Sequence, residues 1–289
     1  MLEHGGALRT AVARYGLPLS DWLDLSTGIN PNGWPPPPII PSTVWQRLPE
    51  PDDGLETAAA AYYGTTRLLP VAGSQAAIQV LPLLRETGLV GVLNLSYAEH
   101  AHAWRRNGHQ VESLPVEALS AAVDRLDVLA LVHPNNPTAA RFPLNLLLDW
   151  RAQLAARGGW LVVDEAFIDA TPAESLANYA GLPGLIVLRS LGKFFGLAGV
   201  RVGFVLSGPA LLESLREQLG PWSLSGPSRW GATQTLIDCD WQEKTRVGLR
   251  RLGERLAELL RRQRLPVADG TALFQWAPMA EAEFWQDAL

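Results

Sequence analysis

Residues 185–204 read LIVLRSLGKFFGLAGVRVGF, and this stretch carries the strongest indication of the fold class. An apolar run at 185–188 leads into a glycine-rich loop, and a second apolar run at 202–206 follows the loop. Short apolar runs bounded by glycine, too short for helices, are typical of strands buried on both faces of a sheet. The stretch therefore predicts two core strands joined by a loop.

The same alternation of short apolar runs and helical segments begins near residue 55. The pattern predicts strands at 68–72, 89–95, 128–132 and 160–163, and helices at 56–63, 74–85, 98–107 and 144–156. Buried strands that are separated by helical crossovers are mostly parallel. We therefore predict an α/β protein with a mostly parallel sheet flanked by helices.

The composition limits the classes of protein to which the chain can belong. Its 289 residues are 47% hydrophobic and 18% charged, which suits one large or two modest domains with a buried core. A formal net charge of −5 argues against a nucleic-acid partner, and no apolar stretch approaches the roughly 20 residues of a membrane span. The N-terminus lacks the plan of a secretory signal, so we expect a cytoplasmic protein. The single cysteine, Cys239, excludes an intramolecular disulfide and a multi-cysteine metal site.

Three regions of the chain differ in composition and in hydrophobic pattern. Residues 1–41 include six prolines between positions 31 and 41 and predict an N-terminal arm, because proline cannot occupy a helix interior or a central strand. Residues 42–215 carry the alternating pattern and are expected to form the large, ligand-binding domain. Residues 216–289 are mainly helical, with an arginine-rich amphipathic stretch at 241–264. They predict a smaller α+β domain that is shortened at its C-terminus.

The loop after residue 188 contains one of only two lysines in the chain, Lys193. Burial in an apolar, glycine-rich loop lowers the pKa of an amine and makes it nucleophilic enough to form a Schiff base. Ser190 and Arg201 flank it and offer a hydroxyl and a fork of donors suited to a phosphate. The alternative is a surface loop with an ordinary lysine.

A second candidate lies where Gly73-Ser74-Gln75 separates a predicted strand from a helix. The free N–H groups and the dipole of the first helical turn form a cradle for a phosphate group. The alternative is that Ser74 only caps the helix.

Polar residues also follow three other predicted strands. Asn136 lies between two prolines, and Asp164 and Glu165 end an apolar run. A buried acid needs a partner, and a protonated heterocyclic nitrogen is one possibility. A magnesium site at Asp164 and Glu165 is the competing interpretation, although the sequence has no P-loop. Tyr97 could stack on a flat ring or serve only in packing.

The order of these features resembles the fold-type I pyridoxal-phosphate enzymes of the class I/II aminotransferase family, over residues 4–276. The resemblance implies pyridoxal 5'-phosphate as the cofactor, bound covalently by Lys193. It implies that Asp164 keeps the ring nitrogen protonated, that Asn136 binds the ring hydroxyl and that Tyr97 stacks on the ring. The residues implied to bind the cofactor phosphate are Gly73, Ser74, Gln75, Ser190 and Arg201.

Shorter motifs narrow the resemblance within that family. They are His4-Gly5-Gly6, DLSTGINP at 24–31, DEAFID at 164–169 and Pro221-Trp222-Ser223. These motifs are similar to those of one branch of the family, whose members decarboxylate L-threonine O-3-phosphate to (R)-1-amino-2-propanol O-2-phosphate in cobalamin biosynthesis. In that branch the arm closes over the substrate, which implies that His4, Gly5 and Asn30 bind the substrate phosphate. The alternative for His4 is an unstructured terminus.

Two other functions stay open. Histidinol-phosphate aminotransferases are the nearest relatives of that branch, so amino transfer on a similar amino acid is one alternative. They typically carry a tyrosine where Phe167 stands, and its hydroxyl is missing here. A non-catalytic relative that keeps the fold is the other. Cofactor sites of the family lie near a subunit interface, which implies a homodimer.

Departures from the family pattern predict weaker binding and turnover. Gly192 and Leu48 stand where relatives often carry a hydroxyl beside the lysine and a tyrosine that reaches the partner's cofactor phosphate. No arginine follows Arg264, whereas relatives use a C-terminal arginine to bind the substrate carboxylate. We therefore expect the chain to bind the cofactor but to decarboxylate its substrate poorly or not at all.

Overall fold

A seven-stranded sheet forms the centre of the computed structural model, which describes residue 2 and residues 4–288. Its strands in chain order are β1 (Leu68–Val71), β2 (Leu89–Leu93), β3 (Gln110–Leu114), β4 (Val128–Val132), β5 (Trp160–Asp164), β6 (Leu185–Ser190) and β7 (Gly203–Leu206). Their order across the sheet is β1-β7-β6-β5-β4-β2-β3. β7 runs antiparallel to both neighbours, and the other pairs are parallel. The prediction of a mostly parallel sheet is confirmed.

One strand, β3, has no counterpart in the sequence prediction. It lies at the edge of the sheet and pairs only with β2. Gln110 and Ser113 are exposed, and Leu114 alone in this strand is buried. An edge strand with solvent on one side needs no continuous apolar run, so the signal that revealed the central strands is missing here.

Helices cover both faces of the sheet. They are α1 (Leu8–Tyr15), α2 (Thr43–Gln46), α3 (Leu55–Tyr63), α4 (Ser74–Val80), α5 (Glu99–Arg106), α6 (Leu119–Ala122), α7 (Leu144–Ala155), α8 (Pro209–Leu219), α9 (Gly226–Ile237), α10 (Cys239–Arg262) and α11 (Ala282–Ala288). Successive side chains of β5 point to opposite faces, so Leu161 and Val163 join one apolar core and Val162 joins the other. The first core includes side chains of α3, α7 and α9, and the second includes side chains of α4, α5 and α8.

The helix predicted at 74–85 is shorter in the structure. α4 ends at Val80, and a 3-10 turn over Leu81–Leu84 continues it. Pro82 has no N–H to donate to the carbonyl one α-helical turn earlier, which accounts for the change of helix type.

The proline-rich arm packs on the loop that follows β6. The Trp34 N–H donates to the carbonyl of Phe195 at 2.8 Å, and its indole Nε1 donates to Asp238 Oδ2 at 2.9 Å. Because Trp34 is buried, this contact ties the arm to the loop that carries Lys193.

The C-terminal region is dominated by α10, which starts two residues before the predicted stretch. Asp238 caps it by accepting a hydrogen bond from the Trp241 N–H at 3.1 Å. A two-stranded ribbon of β8 (Asp269–Gly270) and β9 (Gln275–Trp276) follows. The predicted boundaries at 41 and 215 stay predictions, and the outermost residues 1 and 289 lie outside the described part. In that part of the chain, no helix is long and apolar enough to cross a membrane.

Candidate active site

Asp164 ends β5 at the edge of the sheet where the parallel strands have their carboxyl ends. Its Oδ2 lies 3.1 Å from Nε2 of His100, and its Oδ1 accepts a hydrogen bond from the Ala166 N–H at 3.1 Å. Both side chains are buried. Since a carboxylate needs partners in such surroundings, the pair with His100 keeps Asp164 in a defined orientation.

Glu165, the next residue, belongs to a different group of side chains. Its Oε2 accepts hydrogen bonds from Arg189 Nη1 at 2.9 Å and from Ser175 Oγ at 2.5 Å. Burial acts to raise the pKa of Glu165, and the nearby Arg189 charge opposes that effect without cancelling it. Arg189 also pairs with Asp169, so Glu165 belongs to a buried ion-pair network. Asp164 and Glu165 therefore bind different partners.

Lys193 lies in the loop between β6 and β7, partly buried. Burial lowers the pKa of its amine, as does the Arg201 charge, while Asp164 acts in the opposite direction. Its Nζ lies 5.2 Å from the centre of the Phe167 ring and has no hydrogen-bond partner among the described residues. The other lysine, Lys244, is exposed on α10. The structure thus places a desolvated, unpaired amine near Asp164.

The predicted phosphate cradle lies at the start of α4. Gly73 occupies the N-cap position with φ 74° and ψ 158°, and no side chain caps the helix, so Ser74 is a helical residue. A Cβ at Gly73 would lie 2.6 Å from Nη2 of Arg201, which shows how closely that guanidinium approaches the loop. A Cβ on Gly203, the residue paired with Ser190, would lie 2.6 Å from the Ser74 nitrogen. The tertiary fold therefore brings the two predicted phosphate-binding segments together.

Ser190 and Arg201, the other donors at this cradle, can still donate hydrogen bonds to a ligand. Ser190 Oγ accepts a hydrogen bond from the Gly192 N–H at 3.1 Å, which leaves its own hydrogen to donate. Arg201 donates from Nη1 to the Ala198 carbonyl at 3.2 Å and is otherwise exposed. These donors suit an anion.

The two asparagines of the Asn-Pro loop have different roles. Asn135 is fully buried and binds Ser96, Leu95 and Thr138. Asn136 is partly buried, and within the described part of the chain its side chain has no hydrogen-bond partner. Asn136 is therefore the one with a side-chain amide available to a ligand.

Tyr97 and Gln75 are joined by a hydrogen bond. The Tyr97 hydroxyl donates to Gln75 Oε1 at 3.2 Å, and Gln75 Nε2 donates to Glu99 Oε2 at 2.7 Å. Burial, together with the charges of Glu99 and Asp164, raises the pKa of Tyr97 to about 12. The hydroxyl stays protonated at neutral pH and acts as a donor.

The three residues predicted to bind the substrate phosphate lie in two places. Asn30 is buried, and its Nδ2 donates to the Phe194 carbonyl at 2.9 Å while its Oδ1 accepts from the Asn32 N–H. Gly5 packs so closely on the Ser26 carbonyl that a Cβ would lie 2.1 Å from it. His4 is half exposed, and its Nε2 lies 2.8 Å from Glu99 Oε1. The arm thus reaches the side of the site that Tyr97 occupies.

Phe167 is held between three parts of the chain beside Lys193. Its ring makes an edge contact with Phe274 of the C-terminal region at 5.0 Å between centroids. A Cβ on Gly28 of the arm would lie 2.8 Å from its Cε1 atom. The Lys193 amine therefore has an apolar neighbour whose position depends on both the arm and the C-terminal region.

Sequence reasoning missed His100, Glu99 and Phe274. His100 lies three residues after Tyr97, and Glu99 lies between them, in the first turn of a helix that follows a core strand. Residues at that position face the same edge of the sheet as Asp164, and this spacing was the available signal for His100 and Glu99. Phe274 carries no comparable local signal.

Comparison with known proteins shows the family of the chain. The profile of the family described as "Aminotransferase class I and II" matches residues 43–289. The chain is 58% identical over 276 residues to a threonine-phosphate decarboxylase of Pseudomonas aeruginosa, covering 95% of this chain and 83% of that protein. The chain therefore belongs to the aminotransferase class I and II family.

Solved structures share the fold. A histidinol-phosphate aminotransferase from Sinorhizobium meliloti, in complex with pyridoxal-5'-phosphate, has a TM-score of 0.72 at 21% identity, over 80% of this chain and 67% of that one. An L-threonine-O-3-phosphate decarboxylase from Porphyromonas gingivalis has a TM-score of 0.67 at 22% identity, over 76% and 70%. The sheet and its flanking helices are those of fold-type I pyridoxal-phosphate proteins, as predicted.

Proposed function

We propose that the chain is a pyridoxal-phosphate-dependent lyase that decarboxylates L-threonine O-3-phosphate to (R)-1-amino-2-propanol O-2-phosphate, a step of cobalamin biosynthesis. The observation that carries the proposal is the 58% identity with a threonine-phosphate decarboxylase across 95% of this chain. In the reaction the carboxyl group leaves as CO₂, and a proton takes its place on Cα.

The residues at the sheet edge fit pyridoxal 5'-phosphate. Lys193 offers an amine with a lowered pKa and no described hydrogen-bond partner. Asp164 is a buried carboxylate suited to a protonated ring nitrogen, and Asn136 has an uncommitted amide suited to the ring hydroxyl. Bound pyridoxal phosphate supplies a conjugated ring that accepts the electron pair left when the bond to CO₂ breaks.

The phosphate of the cofactor would be held where the two loops meet. The first turn of α4 supplies Gly73, Ser74 and Gln75, and the loop after β6 supplies Ser190 and Arg201. The close approach of Arg201 to Gly73 supports this assignment, because backbone N–H groups and a guanidinium together favour an anion. Tyr97 would stack on the ring, with its hydroxyl held by Gln75.

The phosphate of the substrate would be bound under the arm by His4 and the backbone at Gly5. The side chain of Asn30 already binds Phe194 and Asn32, so we assign it the task of positioning the arm against the Lys193 loop. Its own N–H donates to the Lys193 carbonyl at 3.0 Å. The chain is proposed to act as a homodimer on a small phosphorylated amino acid.

The test separates decarboxylation from amino transfer. The purified chain, saturated with pyridoxal phosphate, is incubated with L-threonine O-3-phosphate and separately with histidinol phosphate plus 2-oxoglutarate. We expect CO₂ and aminopropanol phosphate from the first mixture and no glutamate from the second. Glutamate formation without CO₂ would contradict the proposal.

Lys193→Ala provides the matched control for this assay. The variant should lose turnover, and borohydride reduction should fix pyridoxyl label to the peptide with Lys193 in the wild type only. Label on Lys244 instead would contradict the assignment of Lys193.

A further inference from the structure

Glu99 joins three segments that are far apart in sequence. Its Oε2 accepts hydrogen bonds from Gln75 Nε2 at 2.7 Å and Gln79 Nε2 at 2.9 Å, both from α4. Its Oε1 lies 2.8 Å from His4 Nε2, which belongs to the N-terminal arm. One carboxylate of α5 therefore connects the arm with the helix whose first turn forms the proposed phosphate cradle.

The carboxylate at this junction is ionised at neutral pH. Burial acts to raise the pKa of Glu99, but hydrogen bonds from His4 and Gln75 outweigh it and hold the pKa below its usual value. In the described part of the chain, His4 is the basic side chain within ion-pair distance of Glu99. A nearly buried carboxylate without an arginine or lysine partner gains from a contact with an imidazole.

The arm needs an anchor at this position. His4 is followed by Gly5 and Gly6, and glycine increases the conformational freedom that must be lost when a segment is ordered. Apart from the imidazole, the Gly6 N–H donates to Ser26 Oγ at 2.8 Å. The His4 side chain remains 45% exposed, and its second ring nitrogen has no hydrogen-bond partner in the described residues.

We infer that Glu99 is a positioning residue that holds His4 in place to bind the substrate phosphate, an inference that rests on the proposed function. When both ring nitrogens of His4 carry a proton, one N–H donates to Glu99 and the other is left to donate to the phosphate. The arm is thereby ordered before the substrate arrives, which lowers the entropic cost of binding it. Glu99 itself does not touch the substrate.

Three variants test the coupling between the two residues: Glu99→Gln, His4→Gln and the double variant. Each single substitution should raise KM for L-threonine O-3-phosphate about tenfold and leave kcat within about twofold. The double variant should resemble His4→Gln, because Glu99 acts through His4. Independent, multiplying effects of the two substitutions would overturn the inference.

Two further measurements separate this role from a general effect on the site. The affinity for pyridoxal phosphate should change less than threefold in Glu99→Gln. A loss of this affinity as large as the rise in KM would mean that Glu99 acts on the cofactor site through Gln75, and it would overturn the inference. Hydrogen exchange in the free chain should become several-fold faster at residues 4–12 in both single variants. Unchanged exchange there in Glu99→Gln would also overturn it.

Glu112→Gln is the matched control, since Glu112 pairs with Arg125 on the surface of β3. It should change neither KM nor the exchange of the arm. If the wild-type chain releases no CO₂, the proposed function fails, and the exchange comparison still decides whether Glu99 anchors the arm.

Discussion

At the scale of single residues, the site depends on how differently two adjacent carboxylates are held. Asp164 lies against His100 and faces the Lys193 side of the sheet edge, whereas Glu165 is paired with Arg189 inside the core. Adjacent residues at a strand end project to opposite sides, so one can serve a ligand while the other serves the fold. Substitution of Asp164 should therefore affect activity, and substitution of Glu165 should affect stability.

Asp164→Asn should reduce kcat by about 10²-fold or more, because it removes the charge that favours a protonated ring nitrogen. Glu165→Gln should instead lower the free energy of unfolding by about 3 kcal/mol, because it disrupts a buried ion-pair network. Urea unfolding and steady-state kinetics on both variants give the comparison. Equal losses of activity per folded molecule would favour the competing metal site.

Lys193 should make the stability of the cofactor-free chain depend on pH. Its pKa in the folded chain is lowered from 10.5, so folding disfavours its charged form. The resulting loss of folding free energy is fully present below the lowered pKa and disappears as the pH rises past 10.5. Lys193→Met should therefore be stabilised relative to the wild type most strongly at pH 7, with a difference that shrinks toward pH 10.

Unfolding by urea at pH 7, 8, 9 and 10 measures that difference, and effects of other titrating groups cancel between the two chains. The exposed Lys244→Met substitution is the control and should show no such trend. A constant difference between Lys193→Met and the wild type would contradict the lowered pKa.

At the scale of elements, the start of α4 is shaped by Gly73. Its positive φ and its distance from Arg201 leave no room for a side chain. Gly73→Ala should weaken pyridoxal phosphate binding at least tenfold, because the new methyl group displaces the guanidinium from the cradle. Fluorescence or absorbance titration with the cofactor measures the change.

Gly16→Ala is the control for backbone strain. Gly16 has a similar φ of 73° at the end of α1, and nothing lies within 4 Å of a Cβ there. It should cost about 1 kcal/mol of stability and leave cofactor affinity unchanged. Equal losses of affinity in both glycine variants would mean that strain, and not the contact with Arg201, explains the effect at Gly73.

At the scale of the whole molecule, large apolar side chains are exposed along residues 23–48. They are Leu23, Leu25, Ile39, Trp45 and Leu48, each more than half exposed. Trp34 of this segment packs on its own chain, whereas these five side chains stay exposed. Exposed apolar side chains that share one segment are typical of a surface that binds another protein. We expect a homodimer that buries this surface.

Light scattering should give the mass of a dimer for the wild type and a lower mass for Trp45→Asp. Leu83→Asp, a similarly exposed apolar site away from this segment, should leave the dimer intact. A monomeric wild type with full cofactor occupancy would contradict the expectation.

The central strands were predictable because each is buried on both faces and reads as a short apolar run. β3 was not, since half of an edge strand faces solvent. Lys193, Asp164 and Asn136 stood out because each follows an apolar run, where a polar or charged side chain costs free energy of folding unless it has a partner. His100 did not, because a histidine in the first turn of a helix is an ordinary residue unless its contact with Asp164, 64 residues away, is known.

The sequence by itself determined the fold class and the segments that carry the polar residues, since burial leaves a periodic pattern in the chain. Only the tertiary structure decided which of those residues meet. It inserted β7 between β1 and β6, and thereby set Arg201 against Gly73 and Ser190 beside Gly203. It also assigned Glu165 to Arg189 and His4 to Glu99. Contacts between distant segments depend on packing, and no local pattern encodes them.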